Sequence, residues 1–90
     1  MIVRRRFLIG GRVQGVGFRV FVEARAAAEG VHGFVQNLPD GRVEAVVEGD
    51  EEAVGRMELA LGRGPAGARV SSFVVDALEP TRRATGFTIR

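Results

Sequence analysis

The 90-residue chain has no cysteine, tryptophan, tyrosine or lysine, a single histidine, His32, and a single asparagine, Asn37. Without cysteine it can form no disulfide, no thiolate nucleophile and no Cys-ligated metal site. One histidine excludes a multi-histidine metal site and argues against a Ser-His-Asp triad. These absences leave arginine, the carboxylates, Asn37 and the main chain as the groups that could carry chemistry.

The charges are nearly balanced, which narrows the class of protein. Thirteen basic residues, all arginine, stand against eleven acidic ones, for a net charge of +2. The pI of about 10.9 therefore reflects the use of arginine and does not indicate a general nucleic-acid coat. No apolar run reaches the roughly 18–20 residues of a membrane span, and the apolar stretch 7–9 is too short for a signal peptide. The sequence predicts a soluble, cytoplasmic protein with one domain over residues 1–90.

Hydrophobic periodicity divides the chain into seven elements. Alternating apolar residues predict strands over 2–9 and 42–48. Further strands are predicted over 32–37, before the turn LPDG, over 68–78, with an irregularity near Ser71 and Ser72, and over the short stretch 87–90. Helical periodicity predicts one helix over 18–29, ended by Gly30, and another from Asp50 to the segment 62–67. This order is typical of an α+β, ferredoxin-like β-α-β-β-α-β sandwich. We expect two helices packed on one face of a mixed, mostly antiparallel sheet of four to five strands.

The most informative segment is GRVQGVGFR, residues 11–19, between the first strand and the first helix. Consecutive amides in a glycine-rich loop can turn inward and form a concavity that binds anions, and the helix N-terminus adds further N–H groups. Arg19, in the first turn of that helix, carries a fork of donors that matches phosphate oxygens. The spacing fits neither of the common nucleotide-binding glycine motifs. An ordinary glycine-rich turn with an exposed arginine is the alternative interpretation.

The second segment is GFVQN, residues 33–37, in which Asn37 ends a strand just before the turn LPDG. A carboxamide has both a donor and an acceptor, so it can hold a water molecule and orient it. The alternative is that Asn37 caps its own turn through its side chain, as asparagine commonly does at strand ends.

Taken together, these segments resemble the acylphosphatase family. The resemblance rests on GRVQGVGFR, on GFVQN with DG close behind it, on EG at 48–49, on GPAGARV at 64–70 and on FTI at 87–89, and so covers essentially the whole chain. It implies hydrolysis of the carboxyl–phosphate bond of acyl phosphates to a carboxylate and inorganic phosphate. It also implies a small-molecule substrate, no metal and no organic cofactor.

The resemblance assigns roles to particular residues. Arg19 matches the phosphate-binding arginine of the family, and Asn37 matches the asparagine that positions the attacking water. The phosphate cradle corresponds to the main-chain amides of five consecutive residues: Gln14, Gly15, Val16, Gly17 and Phe18. The chain departs from some family members at Leu38, where they carry a threonine. A hydroxyl that could support the asparagine or the leaving group is therefore missing.

Three alternative functions stay open. An RNA-recognition domain shares this scaffold, but it needs exposed aromatic residues on the central strands, and Phe7 is predicted to face the core. A non-catalytic anion sensor would need the loop and Arg19 without Asn37. A detached module of a larger carbamoyl-transfer protein is the third. We expect a monomer that binds acyl phosphate, or inorganic phosphate at the loop, and neither nucleic acid nor membrane.

Other polar residues carry weaker signals. His32, at a strand start, is expected to be structural or solvent-facing. The arginine run 4–6 is expected to be solvated, with protection of a sheet edge as a second use. Arg12 could steer anions toward the loop. The acidic run 50–52 is expected to start a helix, since no calcium-ligand loop surrounds it.

Overall fold

Five strands and two helices follow one another in the computed structural model, which describes all residues from Met1 to Arg90. The predicted order of elements is confirmed. Their bounds are β1 Ile2–Arg12, α1 Phe18–Glu29, β2 His32–Asn37, β3 Val43–Asp50, α2 Glu51–Arg63, β4 Arg69–Leu78 and β5 Phe87–Ile89.

The strands form one sheet in the order β4-β1-β3-β2-β5. All neighbours are antiparallel except β2 and β5, which run parallel. The two β-α-β units place both helices on the same face of the sheet, because right-handed crossovers lead each helix back to that side. The expected ferredoxin-like sandwich with a mixed, mostly antiparallel sheet is confirmed.

The core lies between this face and the helices. Alternate residues of the strands point into it, so that Phe7 and Ile9 of β1 and Val47 of β3 are fully buried. The helices contribute residues at helical spacing, which the sequence predicted: Phe18, Val22 and Ala26 from α1, and Val54, Met57 and Leu61 from α2. Helix α1 ends as expected in a left-handed Gly30, whose N–H donates to Ala27 while that of Val31 donates to Ala26.

Strand β1 is longer than predicted. It continues through Gly10 and Gly11 to Arg12, because β4 pairs with it over this stretch. The pairing slips by one residue, since Gly10 lies opposite Ser72 and Gly11 opposite Val70. Ser71 is therefore the extra residue of a β-bulge, and the predicted irregularity near Ser71 and Ser72 is confirmed.

The arginine run 4–6 does not protect a sheet edge, and that expectation is wrong. Strand β1 lies between β4 and β3, so its arginines are interior to the sheet. Arg6 donates to Glu44 of β3, and Arg4 lies 3.9 Å from Glu48 of the same strand. Arg4 and Arg6 thus make cross-strand pairs of the kind that stabilises sheets, whereas Arg5 points to the other face and donates to Glu58 of α2 at 3.4 Å.

The sheet face opposite the helices is polar at its centre. Glu44 accepts hydrogen bonds from Arg6 and Gln36, and Glu48 accepts from the main chain and hydroxyl of Thr81. Burial would raise the pKa of Glu44, but the hydrogen bonds from Gln36 and Arg6 outweigh it, so this pKa lies below its usual value. This face therefore carries an ionised network. Its one aromatic residue is Phe34 of β2, whose ring is covered by the guanidinium of Arg90 at 3.6 Å from the ring centroid, whereas RNA-recognition sheets stack bases on two or three exposed aromatic residues.

Neither helix is long and apolar enough to cross a membrane.

Candidate active site

The loop between β1 and α1 is shaped by two glycines with positive φ. Gly15 and Gly17 both have φ of 75°, in the left-handed region, and Gly17 is the N-cap of α1. A residue with a Cβ would be strained in this backbone conformation. The glycine density of the segment therefore reflects a requirement of the fold, as the sequence predicted.

The main-chain N–H groups along this loop and into the first turn of α1 are free. From Gln14 to Val20, none of them donates to an acceptor within the protein, and the first such bond is from Phe21 to the carbonyl of Gly17. A run of free donors of this kind, ending at the positive pole of a helix, is the arrangement that binds anions.

The start of α1 contrasts with that of α2. Helix α2 has Asp50 as its N-cap, which accepts from the N–H of Glu52, and carries Glu51 and Glu52 in its first turn. Helix α1 has no capping side chain and no acidic residue in its first turn, which instead holds Arg19. Gly17 in place of a capping side chain leaves the helix less stable by roughly a few tenths of a kcal/mol, and a cation at the positive end costs about 0.3–1 kcal/mol. Local rules broken together at one place point to a functional site.

A small cavity of about 110 Å³ opens in front of these donors. Its seven lining residues include five of the predicted site residues, and they are Val13, Gly15, Gly17, Phe18, Arg19, Val20 and Asn37. Gln14 and Val16, which were also predicted in the site, do not line it. This volume lies far below the roughly 300 Å³ at which pockets for larger ligands begin. A cavity of this size suits a small anion such as a phosphoryl group.

The guanidinium of Arg19 is held in place by a hydrogen bond to the main chain that follows β5. Its Nη1 donates to the main-chain oxygen of Arg90, at 3.1 Å, and the N–H of Arg90 in turn donates to the carbonyl of Val35 at 2.9 Å. The segment after β5 thus anchors the arginine beside the cavity. This contact was not predicted, because it joins residues 71 positions apart through a main-chain atom that has no sequence signature.

Asn37 ends β2 opposite Val43, and its carboxamide makes no hydrogen bond within the protein. The expected alternative, that it caps its own turn, is therefore not what the structure shows. Asp40 caps the turn instead, accepting from the N–H of Arg42 at 3.0 Å. This hydrogen bond holds the pKa of Asp40 below its usual value, against the opposing effect of desolvation. Asn37 is left free to face the cavity.

The side chain of Gln14 points to a different role from the one predicted for its main chain. Its Nε2 donates to the carbonyls of Leu38 and Arg42, at 2.9 and 3.1 Å. These carbonyls belong to the turn that follows Asn37. Only the main-chain amide of Gln14 was predicted to belong to the site, since nothing in the local sequence pattern shows where its carboxamide reaches.

The remaining candidates lie outside the cavity. His32 accepts a hydrogen bond at Nδ1 from the N–H of Gly86, at 2.9 Å, and so holds the segment before β5, consistent with the expected structural role. No three of the histidine, aspartate and glutamate side chains come together as metal ligands. The cavity itself offers N–H donors, which suit an anion and not a cation.

Two wider grooves lie on the helix layer. One, of about 410 Å³, runs between α1 and α2 and includes Phe21 and Leu59. The other, of about 550 Å³, lies between α1 and β5 and includes Phe87. Neither is lined by the loop residues 13–17 or by Asn37, so neither combines the free donors with the predicted catalytic side chains.

Comparisons of the sequence and of the structure with known proteins lead to the same family. The sequence model of the acylphosphatase family matches residues 5–89. An acylphosphatase of Thermococcus kodakarensis is 52% identical over 81 residues, which cover 87% of this chain and 86% of the relative. The crystal structure of an acylphosphatase from Bacillus subtilis superposes with a TM-score of 0.93 at 36% identity, covering 100% of this chain and 99% of that one. The structure of full-length HypF matches with a TM-score of 0.87 at 27% identity, but this chain covers only 12% of it.

The match to acylphosphatases is thus over nearly full length on both sides, whereas the match to HypF is to one part of a much larger protein. Because the family model spans most of the sequence and the relatives are covered almost end to end, this chain belongs to the acylphosphatase family.

Proposed function

We propose that this protein hydrolyses the carboxyl–phosphate bond of small acyl phosphates, releasing a carboxylate and inorganic phosphate. The observation that carries the proposal is that Arg19 and Asn37 line one small cavity together with the loop whose main-chain N–H groups are free. Family membership supports the same reaction.

In this mechanism the phosphoryl group binds through its non-bridging oxygens. The amides of the segment 14–18 and the guanidinium of Arg19 donate to them. The loop and the anchored arginine need little reorganisation, and preorganised donors of this kind are usually the largest single catalytic contribution. The negative charge persists on these oxygens in a loose transition state, so the same donors stabilise it throughout the reaction.

Asn37 places the attacking water. The water oxygen forms a bond to phosphorus as the bond from phosphorus to the carboxyl oxygen breaks, and the carboxylate leaves with the electron pair. A carboxylate is a good leaving group, so a strong general acid is not required. Asn37 contributes by orienting the water in line with the leaving group, through its acceptor or its donor.

The proton of the attacking water needs an acceptor. His32 is engaged with Gly86, and Glu44 and Glu48 lie on the opposite face of the sheet. A phosphate oxygen of the substrate is then the nearest base, and we infer that it takes the proton. The cavity presents N–H donors to an anion, and we propose a reaction that needs neither a metal ion nor an organic cofactor.

The size of the cavity bears on specificity. About 110 Å³ accommodates the phosphoryl group, so the acyl part of the substrate lies outside, in solvent. Leu38, at the position where some family members have threonine, does not line the cavity. We propose that the enzyme accepts acyl phosphates of varied acyl structure. We also propose that residues 1–90 act as one domain, as a cytoplasmic monomer.

The decisive experiment is hydrolysis of benzoyl phosphate in the presence of EDTA. The wild-type protein should turn over. Arg19→Ala should lower kcat/KM by roughly 10²–10³-fold, the effect of removing a preorganised donor to developing charge. Asn37→Ala should lower kcat by about 10²-fold while inorganic phosphate still inhibits. Arg25→Ala, an exposed arginine of the same helix that lies outside the cavity, is the matched control and should keep full activity.

Absence of turnover in EDTA would overturn the enzyme proposal and favour an anion sensor. Normal turnover by Asn37→Ala would instead leave the reaction intact and show that water is positioned by another group. Tight RNA binding with a steep dependence on salt would point to the nucleic-acid alternative.

A further inference from the structure

One side chain joins the two halves of the proposed active site. The carboxamide of Gln14 donates from Nε2 to the carbonyl of Leu38 at 2.9 Å and to the carbonyl of Arg42 at 3.1 Å. Both contacts are partly buried, and they connect residues 24 and 28 positions apart in the chain. Gln14 itself lies in the loop of free amides, and Leu38 directly follows Asn37.

No ladder of hydrogen bonds connects these two halves directly. The loop follows β1, and Asn37 ends β2, but β3 lies between these two strands. The turn after Asn37 is closed internally, since the N–H of Leu38 donates to Arg42 at 2.8 Å and that of Gly41 donates to Leu38 at 3.1 Å. Gln14 is the side chain that ties this closed turn to the loop.

We propose that Gln14 is a positioning residue, whose carboxamide fixes the turn 38–42 to the phosphate loop and thereby sets the place of Asn37 relative to the phosphoryl group. The proposal rests on the function proposed above. It adds a role for a side chain that does not line the cavity and acts only through Asn37. Asn37 needs such a support, because its own carboxamide forms no hydrogen bond within the protein that could orient it.

The chemistry of the contact explains why glutamine is suited to this place. One amide nitrogen carries two N–H donors, and two carbonyls accept them. Glutamate would present a carboxylate oxygen to the same two carbonyls and would be repelled. Methionine has a similar length and no donor, so Gln14→Met removes the link with little change of shape.

The link is not required to satisfy the turn. Without Gln14, the carbonyl of Leu38 still accepts from Gly41 and that of Arg42 still accepts from Leu38. The Gln14→Met variant therefore leaves neither carbonyl without a donor, and we expect it to fold. Its effect should appear in the placement of Asn37, where errors of about 1 Å can cost on the order of 10²-fold in rate.

A double-mutant cycle on benzoyl phosphate hydrolysis tests this. We expect Gln14→Met to lower kcat by roughly 10–100-fold, while the inhibition constant of inorganic phosphate changes by less than about 3-fold, since the amides and Arg19 are retained. In an Asn37→Ala background, the same Gln14→Met change should lower kcat by less than about 2-fold, because the group through which it acts is gone.

The chain offers a matched control. Gln36, one residue before Asn37, is the only other glutamine of the chain. The carboxamide of Gln36 donates to Glu44, on the sheet face opposite the helices. Gln36→Met makes the same chemical change beside the same residue and should leave kcat within about 2-fold of wild type. Circular dichroism and urea unfolding verify that each variant is folded. If Gln14→Met does not fold, Gln14→Asn retracts the donor by one methylene and should give the same pattern.

Two results would overturn the proposal for Gln14 alone. One is that Gln14→Met lowers kcat by the same factor in the wild-type and in the Asn37→Ala background, which would show that Gln14 acts independently of Asn37. The other is a phosphate inhibition constant that weakens as much as kcat falls, which would mean that Gln14 shapes the anion cradle. Full activity of Asn37→Ala itself would contradict the proposed role of Asn37 and, with it, the role of Gln14.

Discussion

Substitution of Arg19 allows the effect of this residue on the free energy of unfolding to be measured separately from its effect on activity. Arg19 sits at the positive end of an uncapped helix, which is unfavourable by about 0.3–1 kcal/mol at an exposed site. Its hydrogen bond to the main-chain oxygen of Arg90 is exposed and stabilises by about 0.5–1.5 kcal/mol. The two effects nearly cancel. We therefore expect Arg19→Ala to change the free energy of unfolding in the absence of phosphate by no more than about 1 kcal/mol.

Phosphate should separate the two proteins. At a concentration of 100 Kd, phosphate stabilises the wild-type protein by about 2.7 kcal/mol. If Arg19→Ala weakens phosphate binding by about 100-fold, the same concentration stabilises the variant by only about 0.4 kcal/mol. The difference of about 2 kcal/mol corresponds to roughly 10 °C in Tm for a chain of this length.

Urea unfolding followed by far-UV circular dichroism, with and without phosphate, is the assay, since the chain has neither Trp nor Tyr to report by fluorescence. Asp50→Ala is the control at the other helix. It removes the N-cap of α2 and should lose about 0.5–2 kcal/mol of stability while keeping the full effect of phosphate. A loss of more than about 2 kcal/mol from Arg19→Ala without phosphate would refute the reasoning. So would a phosphate effect equal to that of the wild type.

Three further changes test other parts of the structure. Burial would raise the pKa of Glu48, but hydrogen bonds from Thr81 and Arg82 outweigh it and hold this pKa below the unfolded value of 4.5. The ionised carboxylate thus stabilises the fold above about pH 4.5, and this stabilisation is lost as the pH falls through the folded pKa. Because Glu48→Gln removes this titrating group, the variant should show a smaller difference in unfolding free energy between pH 7 and pH 3 than the wild type. Met57→Ala, in the core and away from the cavity, should cost about 2–5 kcal/mol in urea unfolding and leave kcat unchanged at a temperature where the variant is folded. Gly17→Ala meets no neighbouring atom, so its cost should be the strain of positive φ, about 1–2 kcal/mol, and a Tm equal to wild type would contradict this.

How far the sequence predicts this structure depends on the range of the interactions. The bounds of α1 and β2 were predicted as observed, because a helical apolar stripe, a terminal glycine and a following LPDG turn are local signals. The extension of β1 past Ile9 was not predicted, since it depends on pairing with β4, about 60 residues later in the chain. The strand order, which places the arginine run 4–6 inside the sheet, is likewise a property of the whole chain.

The candidate site likewise has features that the local sequence predicts and features that depend on contacts between distant segments. Arg19 and Asn37 stand in recognisable segments, and the structure brings both to one cavity. Periodicity and spacing alone left open whether Asn37 caps its own turn; in the structure Asp40 takes that cap, so the carboxamide of Asn37 stays free for the role proposed above. The side chain of Gln14 and the main chain of Arg90 support the site through contacts between distant segments, which no local pattern of residue types encodes.

The scarcity of reactive side chains and the weakness of the α1 start have one explanation. If the main chain supplies most donors to the phosphoryl group, those N–H groups must stay free, and a capping side chain or a carboxylate in the first turn of α1 would compete with the substrate for them. Helix α2 has no such constraint and is capped by Asp50. The same logic limits what alanine scanning can reveal, because substituting Val16 or Phe18 leaves the amide in place. The positions of the amides change only when the backbone of the loop changes. The Gly17→Ala variant, which strains this backbone, and the Gln14→Met variant, which removes the link of the loop to the turn 38–42, therefore test the loop more directly than replacement of its other side chains.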